Sequence, residues 1–291
     1  MENTVLKEFY QLTARRATCR NFKPDPIPEP VMNRLLEAGC SSPSAGGFQT
    51  LSIIKVTDPQ TRQELARCSR GQNFIATAPV SLVFCVDFHR MAQVMEVEPS
   101  PNGETRSLRN FWMALLDAAI CAQTIVLAAE AEGLKSCYNG NIINRVDQVS
   151  QLLGLPELVF PAVMLTLGWP KAERKQPPKY PVSLMVHEET YQAPSNQQVY
   201  EAYRAQNGHQ KIQPKPELVE ACCQMAQKLH GEGYASRVRA DIEKKGYIGP
   251  YQYWLGCYYQ EEPGFLSQGD YWRFFRGKGF QWLEHPEEDD R

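Results

Sequence analysis

The sequence predicts an α+β fold. Three features carry that prediction: strand-like apolar segments that are separated rather than consecutive, a majority of segments with helical periodicity, and one long helix apolar on nearly every side. Residues 3 to 16 read as a helix with Val5, Phe9 and Leu12 on one face. A basic, irregular segment, RRATCRNF, comes next, and Pro24, Pro26, Pro28 and Pro30 keep the chain extended before a helix over 29 to 40. Ser41 to Gly47 is small and polar, which makes it a loop. Residues 51 to 57, LSIIKVT, form a strand, and Asp58 caps a helix over 59 to 69 that begins with Pro59. Ala78-Pro79 precedes a second strand, VSLVFCVD.

The longest helix runs from Leu108 to Glu132 through ALLDAAICAQTIVLAA, and Gly133 ends it. Such a helix belongs in a core or between subunits. A short strand, LKSCY, leads to Asn139-Gly140-Asn141, followed by a helix over 144 to 153 and a strand from Leu158 to Leu167. Residues 171 to 183 are rich in Lys and Pro and extended. Helical character returns near residue 201 and again from Glu217 to Lys245. Tyr251 to Trp282 holds twelve aromatic residues, and the closing EHPEEDDR is acidic and frayed.

Composition excludes several classes. With 43% hydrophobic and 22% charged residues, the 291-residue chain is neither collagen-like nor disordered. Its 31 basic and 33 acidic residues leave a net charge of −2, too little positive excess to coat a polyanion, so no nucleic-acid partner is expected. No uninterrupted apolar run approaches the roughly 18 residues that span a bilayer, and MENTVLKEFYQLTARR lacks the apolar centre of a signal peptide. A cytoplasmic protein without a membrane partner is the expectation. The nine cysteines are odd in number, scattered, and free of C-x-x-C spacing, as reduced buried cysteines would be. No metal site is expected: His187-Glu188-Glu189 imitates the start of a zinc motif, but Tyr191 stands where the second histidine belongs.

Four clusters carry candidate chemistry. Arg16, Thr18 and Arg20 put two forked cations and a hydroxyl within five residues, which could hold a small phosphate, although composition alone favours a solvated basic turn. Ser44-Ala45-Gly46-Gly47-Phe48-Gln49 lets a flat ligand approach the backbone, with Gln49 able to donate and accept at a ring edge. Gly71-Gln72-Asn73 and Tyr138-Asn139-Gly140-Asn141 each fit a backbone turn, the latter at a strand end, where ligands are commonly met. Neither a Rossmann fingerprint, a P-loop nor a nucleophile elbow is present.

Taken in order, the blocks RRATCRNF, SSPSAGGFQTLSIIKVTD, GQNFIATAPVSLVFCVDFHR, GLKSCYNGNI and LPELVFPAVMLTLGWPKAERKQPPKYPVSLMVHEETY resemble the FMN-dependent nitroreductase superfamily. They are most similar to its oxygen-insensitive NADPH nitroreductase and flavin reductase branch, over residues 5 to 205. The resemblance implies an α+β three-layer sandwich, with a mixed or antiparallel central sheet flanked by helices, in an interlocked homodimer. Two FMN molecules would lie at the interface, each touched by both chains, and the helix from 108 to 132 would be part of it. Residues 1–205 would form the FMN-binding core, and 206–291 a helical, aromatic-rich extension packing on the core or the partner subunit.

Carried over by position, Arg16, Thr18 and Arg20 would contact the phosphate and ribityl chain, with Ala17 contributing only backbone. Ser44, Ala45, Gly47 and Gln49 would line the flavin loop, and Gln72 would reach the ribityl or ring edge. Tyr138, Asn139, Gly140 and Asn141 would run beside the reactive ring nitrogen, and Lys179 would help to hold the phosphate. The sequence departs from the family in three places. Pro177 stands where a lysine is usual, Gly46-Gly47-Phe48 replaces a serine-rich loop, and only Arg204, Arg237 and Arg239 occur where the branch carries an arginine-rich stretch for the NADPH 2′-phosphate.

The implied activity is ping-pong hydride transfer from NADPH or NADH through FMN to a small-molecule acceptor: a nitroaromatic, quinone or flavin. The chemistry would be borne by the flavin, with no catalytic side chain. Two alternatives remain at this level. One is another superfamily role, such as reductive dehalogenation. The other is partner-dependent electron transfer with the aromatic tail as docking surface, as opposed to a tail that buries its rings.

Overall fold

The computed structural model describes residues 4–101, 107–260 and 265–280. The expected helix start at residue 3 and the acidic EHPEEDDR terminus lie outside the described residues. The chain divides into two compact units, residues 1–176 with 264–291, and residues 177–263. The boundary expected between 205 and 206 falls inside a helix of the second unit, Asn196–Asn207.

The first unit is built on strands β1 (Leu51–Val56), β2 (Val80–Asp87), β3 (Lys135–Asn139) and β4 (Val159–Gly168). They form an antiparallel sheet in the order β1-β2-β4-β3. Every residue of the central β2 is buried, because both sheet faces are covered. β2 and β4 slip register between Phe84 and Cys85, where Pro161 lies opposite Cys85; proline has no N–H for the ladder, and a bulge accommodates it.

The helices of this unit are α1 (Thr4–Arg15), α2 (Glu29–Cys40), α3 (Pro59–Cys68), α4 (Asn73–Thr77), α5 (His89–Val97), α6 (Leu108–Ala131) and α7 (Val146–Leu152), with a later helix described below. Leu35 of α2 and Ile125 of α6 pack on one sheet face with Leu82, Phe84 and Leu165. Leu65, Ile75 and Val149, from α3, α4 and α7, cover the other face with Val83, Cys85 and Met164. The result is a three-layer sandwich. Asp58 caps α3 as expected, accepting from the Thr61 N–H and hydroxyl at 2.7 Å each. The helix expected over 144–153 is a 3₁₀ turn over Asn141–Arg145 followed by α7. The short α4 and α5 were not foreseen.

α6 is long and apolar enough to cross a bilayer by length and composition. Counting uninterrupted runs misses this because Asp117 and Gln123 break the run. One side of α6 packs as a core helix, through Ala118, Ala122, Ile125 and Val126. The other side leaves Trp112, Met113, Leu116 and Ile120 exposed. α1 likewise presents its apolar face outward: Val5 is 73% and Phe9 51% exposed. At the junction of α6 and β3, buried Glu130 pairs with Lys135 at 2.5 Å.

In the second unit lie α8 (Val182–Met185), α9 (Asn196–Asn207), α10 (Pro216–His230), α11 (Glu232–Lys245) and α12 (Pro250–Tyr253), then a π-helical turn over Trp254–Tyr258. The stretch Glu217 to Lys245, expected as one helical segment, is two helices. Gly231 adopts φ 84° between them, a conformation that ends a helix and that glycine reaches without steric cost.

The aromatic stretch is shared between the units. α13 (Gln268–Gly277) returns to the first unit, where Phe275 and Phe280 are buried with Phe88, Phe111 and Phe160. Leu266 N–H donates to Asn144 O at 2.9 Å, and Lys278 Nζ donates to Leu155 O at 2.6 Å. These rings are core, so the docking surface considered for the tail does not include them.

Candidate functional site

The basic segment runs beside β3 as a short extra strand. Thr18 forms a parallel bridge with Ser136, Cys19 N–H donates to Ser136 O at 2.9 Å, and Phe22 bridges Pro170. Extended backbone alternates its faces. Ala17 and Cys19 are therefore buried, at 5% and 3% exposure, while Arg16, Thr18 and Arg20 take the outer side; the alternation breaks after Arg20, and Phe22 is buried at 2%. Neither arginine forms an ion pair among the described residues. Both act on β3: burial pushes the Tyr138 phenol up to about 12, with Arg16 pulling back. Burial also raises the Cys137 thiol, and Arg20 opposes it.

The end of β3 adds donors. The Tyr138 hydroxyl donates to Gln123 Oε1 at 3.4 Å. Asn139 is 3% exposed, and its Oδ1 accepts from the Asn141 N–H at 2.9 Å. Its Nδ2 is buried without a partner, as is Ser136 Oγ. Buried donors are ordinarily paired, so an unpaired one marks a place for a missing acceptor. Gly140 opens the 3₁₀ turn, and a Cβ there would meet open space.

Gln72, half-buried, precedes α4 after a left-handed turn at Arg70 and Gly71 (φ 60° and 65°). Phe74 of α4 packs on Phe22 at 6.4 Å between ring centroids, with Cys19 and Ala78. The structure thus joins three clusters: the arginine segment lies against β3 on one side and is backed by α4 on the other.

The Ser44–Gln49 loop is fixed separately. Ser44 Oγ accepts from Gln49 N–H at 3.2 Å. Ala45 N–H donates to Asp117 Oδ1 at 3.0 Å, and the Thr50 hydroxyl donates to Asp117 Oδ2 at 3.4 Å. Arg90 closes the far side, donating to Gln49 O at 2.5 Å and Leu51 O at 2.8 Å. Gly46 and Gly47 have φ of 58° and 71°, and a Cβ on Gly47 would meet open space. Gln49's amide donates to Cys40 O at 3.4 Å. Among the described residues this loop shares no hydrogen bond or ring contact with the other three clusters. Lys179 belongs to the second unit, exposed beside a hollow that Leu184, His187 and Gln198 also line.

Sequence reading missed Asp117, Ser136 and Arg90. Asp117 and Arg90 reach the loop across 72 and 41 residues, and no local spacing signals such pairings. The residues present fit a phosphate-bearing planar cofactor. Two guanidinium groups without carboxylate partners, a hydroxyl and an unpaired buried amide lie along one segment and the adjacent strand end, and an open glycine loop stands apart.

The model of the nitroreductase family matches residues 13–169. The chain is 32% identical over 182 residues to an oxygen-insensitive NADPH nitroreductase of Salmonella typhimurium, covering 62% of this chain and 74% of that protein. It is 28% identical over 250 residues to an FMN reductase [NAD(P)H] of Bacillus subtilis, covering 84% and 98%. Nitroreductase A from Vibrio parahaemolyticus superposes with a TM-score of 0.69 at 24% identity, over 94% of this chain and 97% of that one.

Proposed function

The chain belongs to the nitroreductase family, and we propose that it passes hydride from NAD(P)H through FMN to a nitroaromatic, quinone or flavin acceptor by a ping-pong cycle. It is an NAD(P)H-dependent FMN oxidoreductase of the nitroreductase and flavin reductase kind. The observation that carries the reading is the outer face of the arginine segment. There Arg16 and Arg20 lie without carboxylate partners along β3, the strand whose end carries the unpaired Nδ2 of Asn139.

Bound FMN supplies the capacity to accept a hydride and deliver it again. The protein's part is to bind, orient and exclude water. Arg16 and Arg20 donate forked hydrogen bonds to the phosphate, and Thr18 adds its hydroxyl. Ala17 offers backbone alone. Asn139 Nδ2 and the backbone of Tyr138, Gly140 and Asn141 present donors to the ring edge, and Gln72 approaches from α4. Ser44, Ala45, Gly47 and Gln49 form the small-residue surface over the ring.

A second copy of the chain supplies that loop. Support comes from its separation from the other clusters and from the outward apolar faces of α1 and α6, including Phe9, Trp112, Leu116 and Ile120. The reading is therefore of a homodimer with sites completed across the interface. Nine free cysteines support a reducing, cytoplasmic setting.

The test is direct. Purified protein should carry or take up FMN, and anaerobic NADPH or NADH should bleach the flavin absorbance; adding a nitroaromatic, a quinone or free flavin should restore it. Protein that takes up no FMN, or that holds FMN which neither nicotinamide bleaches, would overturn the proposal.

A further inference from the structure

The second unit holds a pair of thiols in contact. Cys222 on α10 and Cys257 in the π-helical turn place their sulfurs 3.4 Å apart, across 35 residues of sequence. Of the nine free cysteines, this is the only pair whose sulfurs meet at hydrogen-bond distance among the described residues. The contact is held from both sides. Cys222 Sγ donates to Gln252 O at 3.2 Å, and Cys257 Sγ donates to Leu218 O at 3.5 Å. Leu218 and Cys222 are four residues apart on α10 and so share a face.

The backbones are also close. A Cβ placed on Gly256 would fall 2.8 Å from the Cα of Cys222, so only glycine lets the turn come this near α10. A π-helical turn inserts an extra residue into a helix, and here it aims Cys257 at α10. Closing the sulfurs to a bond of about 2.05 Å needs a shift of little more than an ångström in all. The two thiols differ in access: Cys222 is 3% exposed, and Cys257 is half-buried.

We propose that Cys222 and Cys257 form a reversible disulfide, closed by hydrogen peroxide and reopened by a dithiol. Cys257, the accessible sulfur, attacks one peroxide oxygen; the O–O bond breaks, a sulfenic acid forms, and water leaves with the thiol proton. Cys222 then displaces the hydroxyl from Cys257. The S–S bond forms, the S–O bond breaks, and the second thiol proton leaves in a second water. Peroxide takes two electrons and the thiol pair loses two. Burial at 3% exposure keeps peroxide from Cys222 and also pushes its thiol up, so Cys222 is the resolving partner and not the first to react. The closed bridge ties the π-helical turn to α10 beside an apolar hollow lined by Met225, Leu229, Tyr234 and Leu255. The proposal stands apart from the flavin reading, since both thiols and every contact invoked belong to the second unit.

The full chain is treated with peroxide, alkylated, and mapped by mass spectrometry without reduction. The expected product is a peptide pair joining the 222–223 segment to the 257 segment, two mass units below the sum of the reduced peptides. It should disappear on treatment with dithiothreitol. Cys223→Ser should keep the linkage, whereas Cys222→Ser and Cys257→Ser should each abolish it. Stable sulfinic acid at Cys257, a bridge through Cys223 or between other cysteines, or fully alkylated cysteines at both 222 and 257 would each overturn the proposal. Should either serine variant fail to fold, the wild-type and Cys223→Ser maps decide alone.

Discussion

The two units differ in where buried donors are left unpaired: Ser136 Oγ and Asn139 Nδ2 both lie in the first. In the second unit several basic residues have partners. Arg239 pairs with Glu220 at 2.7 Å, Lys245 pairs with Asp241, which also accepts from Gln252, and Arg237 lies over the Tyr234 ring at 5.4 Å. In the first unit Arg34, Arg67 and Arg90 are likewise engaged, by Glu132, by Gln148 and by the carbonyls of Gln49 and Leu51, but Arg16 and Arg20 have no carboxylate partner among the described residues and Asn139 Nδ2 has no acceptor. Unpaired donors on the strand that the arginine segment lines indicate where a ligand belongs. The same contrast bears on the nicotinamide. Arg239 and Arg237, two of the three arginines in the stretch where the resemblance expects a 2′-phosphate grip, are engaged inside the second unit.

The sharpest way to break the comparison is through the aromatic stretch that the two units share. Phe280 is fully buried, edge-on to Phe111 and Phe275 at 5.4 and 5.6 Å. Phe280→Ala should cost about 3–5 kcal/mol in chemical denaturation, as truncating a core aromatic does. Tyr259, in the second unit, is 62% exposed, and Tyr259→Ala should stay within about 0.5 kcal/mol. Equal losses would refute the division of the stretch.

Alkaline pH tests the buried centre of the first unit. Burial pushes the Cys85 thiol on β2 up to about 12. A thiol pKa raised in the folded state contributes stability that is complete below its ordinary value near 9 and is lost as pH climbs toward 12. Cys85→Ala should be weaker at neutral pH but show a shallower fall across that window. An unchanged slope in urea midpoints against pH would contradict the assignment.

Asp117→Ala removes the acceptor of the Ala45 N–H and the Thr50 hydroxyl. Hydrogen bonds to a charged group are worth about 1.5–3 kcal/mol, and the unfolding midpoint should report a loss in that range. Loosening the glycine loop should also lower FMN affinity. Arg20→Ala should do the reverse: stability stays near wild type because the side chain is exposed, but FMN binding weakens by about 10- to 100-fold for one charge-assisted contact. Flavin fluorescence titration reads this, and unchanged affinity would remove Arg20 from the phosphate site.

Much of this contrast can be traced back to what sequence can encode. Local chemistry was legible: the Asp58 cap, the bounds of β2 and the end of α6 at Gly133. The alternation that puts Arg16, Thr18 and Arg20 on one side was not, because the segment reads as irregular. The candidate clusters were legible through the resemblance, each within a few residues of chain. What joins them was not. The Cys19–Ser136 bond, the Phe22–Phe74 contact and the Asp117 tether depend on tertiary packing across tens of residues. The break at Gly231 was missed because helical periodicity resumes directly after it, and the return of α13 to the first unit because rings read alike whether they pack or protrude.

The central claim is that one copy's arginine segment and another's glycine loop complete a single flavin site. The most direct measurement is flavin content in a mixed dimer of Arg20→Ala and Gly47→Val chains, isolated through two different affinity tags. If the site spans two chains, one site of the pair is intact and the other carries both defects, so the mixed dimer should hold FMN at about half the wild-type level while either variant alone holds little. If each site lies within one chain, every site in the mixed dimer carries a defect. Flavin content no higher than in the single variants would contradict the account.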